Sequence, residues 1–423
     1  MGYPCFLRRP YALLASLLVS GLVLAACTPA AAPSPTAVPS GAAAQPAAKP
    51  AEQPAAKPIR IGVPLDTTGP LSVQGKAQQH GIEVAYRQLG GQVAGRPLEL
   101  VHIDSESTPE AGLRVTRRLV ERDQVDAIVG YINSATGYST RDFLHQSRMP
   151  TITMAASAGL TRENKSPYIW RMIPSTFQWA YEPAKYLRDK LGVKRVIFWG
   201  ADYAAPREGY RAAKAVFGDG IVKEVWTPLN TIDYAPYLSG IRPGDADMVI
   251  VAAWGADGVR IAEQYSAAGL KERLPLFGFA SYTSEELLAG FPPDAIRGVQ
   301  SAYVYCAALD NPANREFVAL YRERAGELPG DYAYAAYLSL LMMARAIELV
   351  NGDTSDPDRL VQALAQVKLE NTPTGTQSFD ANQGWVTDFF WRQVDVEGGK
   401  PVNRCVDRLP QVADPIREFP TVQ

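Results

Sequence analysis

The stretch that decides the fold is "VDAIVGYINSATGYSTRDFLHQSRMPTITMAASAG", residues 125–159. It contains two short apolar runs, "VDAIVGYI" and "MPTITMA", separated by a helical segment through "YSTRDFLHQ". Continuous apolar runs of this length are typical of strands that are buried on both faces of a parallel sheet. Two such strands joined by a helix form a right-handed βαβ unit. The stretch therefore predicts an α/β fold.

The same alternation continues in both directions along the chain. Upstream, the apolar runs are "IRIGVPL" and "PLELVHID", with helical segments in "GKAQQHGIEVAYRQL" and "TPEAGLRVTRRLVERD". Downstream, a second series of apolar runs reads "RVIFWGAD", "IVKEVWTP", "DMVIVAAW" and "LPLFGFAS". Two series of strands that alternate with helices predict two parallel sheets. After "RGVQSAYVYCA" we expect three helices and then a β-hairpin that turns at Glu397-Gly398-Gly399.

The N-terminal region has the features of an export signal. Arg8 and Arg9 precede an apolar run that ends at Ala26, which is too short to span a bilayer comfortably. Leu24-Ala25-Ala26-Cys27 resembles a bacterial lipobox, so we expect a signal peptide over residues 1–26 and lipidation of Cys27. An uncleaved anchor and an ordinary signal with a chance cysteine stay open as alternatives. Residues 27–58 are rich in Pro and Ala, and such a segment forms an extended tether of about 3.1 Å per residue.

These N-terminal features predict a protein that is exported and lipid-anchored to the cell membrane, in the periplasm or on the outer cell surface. The formal net charge of −2 argues against nucleic acid as a partner and against a broad membrane-binding face. Contact with the membrane is therefore expected through the lipid anchor alone. The remainder, from Ile59 to Gln423, exceeds the ~250–300 residues at which single cores stop growing, so two lobes are expected.

Cysteine and histidine usage narrows the chemistry. With Cys5 in the signal peptide and Cys27 lipidated, Cys306 and Cys405 remain as an even pair in an oxidising compartment. We predict a disulfide between them, with two separate buried thiols as the alternative. Neither CxxC nor HExxH occurs, and the three histidines lack metal-ligand spacing. We therefore expect no metal and no cofactor.

Polar and aromatic residues directly follow several of the expected strands, and parallel sheets bind ligands at this edge. Asn133 and Ser134 follow "DAIVGYI" and can cap a helix whose N-terminus attracts an anion. Ser157 follows "MPTITMA", while Trp254 and Tyr282 follow strands of the second series. Helix capping by the serines and core packing by the aromatic residues are the alternatives. Together these positions predict a cleft with hydroxyl groups on one lobe and aromatic rings on the other.

The chain resembles the leucine/isoleucine/valine-binding family of solute receptors, the type I fold that serves branched-chain amino acid ABC importers. The likeness is clearest in "IRIGVPLDTTGPLSVQGKAQQHGIEVA", in "LVHIDSESTPEAGLRVTRRLVERDQVDAIVGYINSA" and in "NPANREFVALYRE". The resemblance implies two Rossmann-like, doubly wound lobes with parallel central sheets, joined by a multi-strand hinge that closes on a solute. The expected lobes are 59–174 plus 303–372, and 175–302 plus 373–423.

The resemblance also assigns roles to residues. Ser134 matches the serine whose hydroxyl holds the ligand carboxylate, and Ala156 and Ser157 fall where the family binds the same group. Gln74 falls on an aromatic residue that usually covers the ligand. Tyr203 and Trp254 correspond to aromatic residues that line the pocket from the second lobe. With Asn133, Ser281 and Tyr282, these six complete the expected ligand-binding set.

Two departures from the family pattern bear on the ligand. Amino-acid-binding members place an acidic residue after the strand that corresponds to "LPLFGFA", where this chain has Ala280. Burying an ammonium group without a counter-charge costs several kcal/mol. Asp257 or Asp331 could substitute, although the sequence places neither in the cleft. Ser107 and Asn133 also stand where amino acid receptors carry a disulfide.

The sequence therefore predicts a solute-binding lipoprotein that works with an ABC permease and its ATPase. The missing acid favours an aromatic or other organic acid over leucine, isoleucine or valine. A receptor for branched-chain or other amino acids, or a ligand-sensing receptor of the same fold, is the alternative. No nucleophile with a base and an orienting group is recognisable, which argues against an enzyme.

Overall fold

A computed structural model describes residues 57–421. The predicted signal peptide, Cys27 and the tether up to residue 56 lie outside the described residues. Within the described part of the chain, no helix combines the length and the apolar character that a membrane crossing requires.

The first sheet has the strand order β2-β3-β1-β4-β5-β6 and is parallel except for the short edge strand β2. The apolar run at its centre is fully buried, as Ile59, Ile61 and Val63 show. Its strands are β1 (Ile59–Leu65), β2 (Gln92–Val93), β3 (Arg96–Asp104), β4 (Ala127–Gly130), β5 (Thr151–Thr153) and β6 (Ile169–Arg171).

The second sheet has the order β12-β13-β14-β11-β10-β9-β7-β8, and β15 pairs with β14. Strands β7 to β11 are parallel, whereas β14 runs antiparallel to β11. The predicted hairpin joins β14 to β15 through Gly398 and Gly399, both at positive φ. Its strands are β7 (Val196–Ala201), β8 (Ile221–Thr227), β9 (Met248–Ala252), β10 (Leu276–Phe279), β11 (Gln300–Tyr303), β12 (Lys368–Thr372), β13 (Gly375–Phe379), β14 (Trp385–Glu397) and β15 (Lys400–Val412).

Helices cover the sheets, and several begin at side-chain caps. Thr108, Asn133 and Asn311 each accept a hydrogen bond from a backbone N–H of the first turn that follows. The helices are α1 (Ser72–Gln88), α2 (Pro109–Arg117), α3 (Ser134–Gln146), α4 (Gln178–Asp189), α5 (Ala204–Phe217), α6 (Ala235–Leu238), α7 (Gly255–Ala267), α8 (Glu285–Leu288), α9 (Pro293–Ile296), α10 (Pro312–Ala325), α11 (Asp331–Leu349) and α12 (Pro357–Leu364).

Within residues 57–421, the chain passes from one sheet to the other between β6 and α4, between β11 and α10, and between α12 and β12. Helices α10 and α11 return to pack on α1, next to the first sheet. Strand β12 pairs with β13 and so extends the second sheet, although the predicted lobe boundary assigns residues up to 372 to the first lobe. The fold consists of two mainly parallel sheets covered by helices and connected by several crossings of the polypeptide, as the sequence predicted.

A disulfide joins Cys306, just after β11, to Cys405 on β15. It closes a loop with a sequence separation of 99 residues. The bond ties the antiparallel edge of the second sheet to the start of the second passage between the sheets.

Candidate functional site

A cleft of about 670 Å³ lies at the carboxyl ends of the strands of both sheets. The first sheet contributes residues that follow β1, β3, β4 and β5, and the second contributes residues that follow β7, β9 and β10. Tyr303 at the end of β11, Trp179 on α4 and Tyr332 on α11 complete the wall. This is the position at which parallel α/β sheets bind small molecules.

One wall of the cleft carries hydroxyl groups. The backbone N–H of Ser157 donates to Ser134 Oγ over 3.1 Å, so the Ser134 hydroxyl hydrogen is left for another acceptor. Tyr138 OH lies 2.6 Å from Ser157 Oγ. These two hydroxyls share one hydrogen bond, which leaves one further hydrogen for a ligand. The wall can therefore donate hydrogen bonds to an anion.

The loop before α3 is held in place by Asp66, a fully buried residue directly after β1. Asp66 Oδ2 accepts from the backbone N–H groups of Ile132 and Asn133, each over 3.3 Å. The Asn133 side chain caps α3 and donates to Ser107 O over 2.8 Å. The N-terminus of α3 is thus positioned before a ligand arrives, which lowers the ordering cost of binding.

The opposite wall is aromatic. The rings of Trp179 and Trp254 meet edge to face with centroids 5.4 Å apart, and the ring centroids of Tyr203 and Trp254 are 6.5 Å apart. Trp254 Nε1 donates to Phe279 O over 3.0 Å, which fixes the orientation of the indole. Burial and the neighbouring acids raise the pKa of Tyr332 to about 12, so its phenol is neutral and can donate. A flat apolar group fits against such a surface.

Glu208 also lines the cleft, although no pattern in the sequence pointed to it. It lies on α5 rather than at the end of a strand, where ligand-binding residues were expected. Thr176 Oγ1 donates to Glu208 Oε2, and the backbone N–H of Thr176 donates to Ala156 O over 3.1 Å. Burial raises the pKa of Glu208, while the Thr176 hydroxyl and the cations Arg162 and Arg211 oppose the rise.

Most of the predicted ligand-binding residues lie together in the cleft: Asn133, Ser134, Ala156, Ser157, Tyr203, Trp254 and Ser281. Tyr282 does not. It is 1% exposed, its OH donates to Gly258 O over 2.9 Å, and its ring packs against Gly278, so it belongs to the core of the second sheet. Gln74 lies on α1 outside the cleft lining, where Pro70 and Leu71 stand instead.

The two acids considered as substitutes for the missing counter-charge lie outside the cleft. Asp257 accepts hydrogen bonds from the backbone of Asn230 and from Tyr234 OH. Asp331 is fully buried and forms an ion pair with Arg392 over 2.8 Å. Arg392 also donates to Ala280 O over 3.3 Å, which supports the left-handed backbone of Ala280 (φ 53°) at the cleft wall.

Comparison with known proteins agrees with this architecture. A sequence profile of the family described as "Periplasmic binding protein" matches residues 58–400. The chain is 27% identical to a Leu/Ile/Val-binding protein homolog 6 from Brucella melitensis, covering 84% of this chain and 93% of that protein. The alignment with the Brucella melitensis protein spans 369 residues.

Two solved structures are also similar. An ABC transporter substrate-binding protein from Sphaerobacter thermophilus is 35% identical with a TM-score of 0.80, covering 85% of this chain and 99% of that one. A solute-binding protein of an ABC transporter from Rhodopseudomonas palustris BisB5, solved with 3,4-dihydroxybenzoic acid, is 27% identical with a TM-score of 0.77 over the same shares.

These relatives are solute-binding proteins and not enzymes. The family works outside the cytoplasm, in keeping with the predicted export. The profile match covers most of the chain, and the cleft lies where two-lobed receptors bind their ligands. The chain is a substrate-binding protein of the ABC transporter class and belongs to the periplasmic binding protein family.

Proposed function

We propose that this protein is the lipid-anchored receptor of an ABC importer of the branched-chain amino acid type, and that it closes its lobes on a small aromatic carboxylate. The observation that carries the proposal is the cleft itself, in which hydroxyl donors at a helix N-terminus face a wall of aromatic rings. Lipidation of Cys27 and the docking of a permease complete the proposal, supported by the lipobox-like sequence and by the family.

The carboxylate of the ligand is assigned to the wall formed by Ser134, Ser157 and Tyr138. The free hydroxyl hydrogens and the positive end of the α3 dipole favour a negative charge there. The ring of the ligand is assigned to the surface of Trp179, Trp254 and Tyr203. The relative from Rhodopseudomonas palustris, which was solved with 3,4-dihydroxybenzoic acid, supports this class of ligand.

A second candidate function is the binding of an amino acid. Glu208 places a carboxyl group in the cleft, and a carboxylate is the partner that a ligand ammonium needs. The similarity to a Leu/Ile/Val-binding protein homolog also favours the binding of an amino acid. The two candidates differ in which ligands stabilise the protein.

Melting temperatures of the purified protein distinguish the two candidate functions. They are measured with benzoate, 4-hydroxybenzoate, 3,4-dihydroxybenzoate, leucine and valine. A ligand at 100 times its dissociation constant adds about 2.7 kcal/mol to the free energy of unfolding, which raises the melting temperature by a few degrees. We expect the aromatic acids to raise it and the amino acids to leave it unchanged. A rise with leucine or valine and none with the aromatic acids would replace our proposal with the second candidate.

A further inference from the structure

Glu208 lines the cleft, and its two carboxylate oxygens differ in their hydrogen bonds to the described residues. Glu208 Oε2 accepts from Thr176 Oγ1, whereas Oε1 has no hydrogen-bond partner within residues 57–421. An ionised carboxylate has about four acceptor positions on its two oxygens. In an open cleft, water occupies the positions that the protein leaves free.

Closure of the lobes on a ligand removes that water. A buried carboxylate that loses a hydrogen bond without replacement weakens binding, because desolvation of the charge is not offset. The residues that line the cleft in the described part of the chain include no Lys or Arg that could compensate from within it. The ligand must therefore supply a donor if Glu208 is to stay paired.

The required donor can be neutral. Burial raises the pKa of Glu208, and the charges of Arg162 and Arg211 oppose this rise, so part of the negative charge is already offset outside the cleft. The hydrogen bond from the Thr176 backbone N–H to Ala156 O keeps Glu208 beside the loop that follows β5. A phenolic hydroxyl on an aromatic acid supplies such a donor without a second formal charge.

We infer that Glu208 is a specificity-determining residue that selects aromatic acids bearing a hydroxyl group over unsubstituted ones. This inference rests on the proposed function, since it presumes that the ligand carboxylate binds at Ser134 and Ser157. Glu208 accepts the ligand hydroxyl through Oε1, while Thr176 holds Oε2.

Calorimetric dissociation constants for benzoate, 3-hydroxybenzoate, 4-hydroxybenzoate and 3,4-dihydroxybenzoate test the inference in the wild type, E208Q and E208M. A hydrogen bond to an ionised acceptor predicts that the wild type binds its best hydroxylated acid about ten- to a hundredfold more tightly than benzoate. E208Q keeps a neutral acceptor and should lower this ratio to about threefold. E208M should abolish the preference for a hydroxylated acid over benzoate. It should also tighten benzoate binding, because binding then desolvates no carboxylate at this position.

Glu163→Gln is the matched control, since Glu163 is an exposed acid whose charge acts on Glu208 without lining the cleft. It should keep the wild-type ratio. Two results would overturn the inference and leave the proposed function standing. In the first, E208M binds the acids with the same preference for a hydroxylated acid over benzoate as the wild type. In the second, E208M weakens the binding of all four acids equally. No binding of any aromatic acid to the wild type would overturn both. Leucine binding that E208M removes would assign Glu208 to an ammonium and would also overturn both.

Discussion

At the scale of single residues, the proposed recognition of a ligand carboxylate rests on the hydroxyl groups at the start of α3 and after β5. Ser134 Oγ already accepts a hydrogen bond from Ser157 N, so the oxygen is held in place and its hydrogen is left for another acceptor. A pre-organised donor of this kind contributes more to affinity than one that is ordered on binding. The same contact fixes the distance between the loops that follow β4 and β5.

Ser134→Ala should weaken the binding of the best aromatic acid about tenfold, because a hydrogen bond to a charged group contributes about 1.5–3 kcal/mol and water recovers part of it. Calorimetry on the two proteins measures the change. Ser139→Ala on the same helix is the control, since Ser139 is exposed and lies outside the cleft lining. Equal affinities of Ser134→Ala and the wild type would show that the carboxylate binds elsewhere.

At the scale of elements, the fold could be predicted because buried parallel strands appear in the sequence as short apolar runs. The loops that follow β4, β5 and β9 could be assigned to the cleft for the same reason, whereas Tyr203 after β7 was assigned through the family resemblance alone. Glu208 and Tyr138 were missed because they lie inside helices, and their orientation depends on how those helices pack. Tyr282 was predicted to line the cleft but lies in the core, because Gly258 and Gly278 have no side chains and leave room for its ring. The spacing of residues along the chain does not reveal this packing.

The segment after β15 is an element that the sequence analysis did not single out. Asp414 forms ion pairs with Arg162 and Arg171, each over 2.6 Å, and all three side chains are fully buried. Five residues on, Phe419 stacks on Phe177 with the ring centroids 4.5 Å apart. Because Arg171 ends β6 and Phe177 precedes α4, this segment braces the first passage between the sheets.

Asp414→Asn should lower the free energy of unfolding by about 3–5 kcal/mol, because it leaves buried guanidinium groups without their counter-charge. Urea denaturation measures the change. Asp358→Asn is the matched control: it breaks the ion pair with Arg148, in which both side chains are about half exposed, and should cost at most about 1 kcal/mol. Similar losses in the two variants would mean that burial does not set the strength of the Asp414 pairs.

At the scale of the whole molecule, a cluster of acids behind the cleft links stability to pH. Glu286 Oε1 accepts from the backbone N–H groups of Tyr332 and Ala333 and so caps α11, whose Tyr332 lines the cleft. Glu285 lies beside it, and its Oε2 atom is buried without a hydrogen-bond partner among the described residues. Burial raises the pKa of Glu285 and of Glu286 to about 7, against the opposing charge of Arg392 at Glu285.

Raised pKa values of this kind destabilise the folded protein as the pH increases. Between about 4.5 and 7 the folded state holds protons that the unfolded state has released, so the free energy of unfolding falls as the pH rises through this window and then levels off. Each group contributes at most about 3 kcal/mol to that fall. His80 and His102 act in the opposite direction, because burial lowers their pKa values and favours their neutral forms.

Glu285→Gln isolates the acid contribution, since the histidines are the same in both proteins. Chemical denaturation at pH 5, 6, 7 and 8 should give a variant whose stability falls less steeply than that of the wild type, and which is the more stable of the two at pH 8. Glu370→Gln, an exposed substitution, should run parallel to the wild type. If the Glu285→Gln curve also runs parallel, Glu285 is ionised throughout the range, and the carboxylate must then be held by Arg392 strongly enough to outweigh its burial.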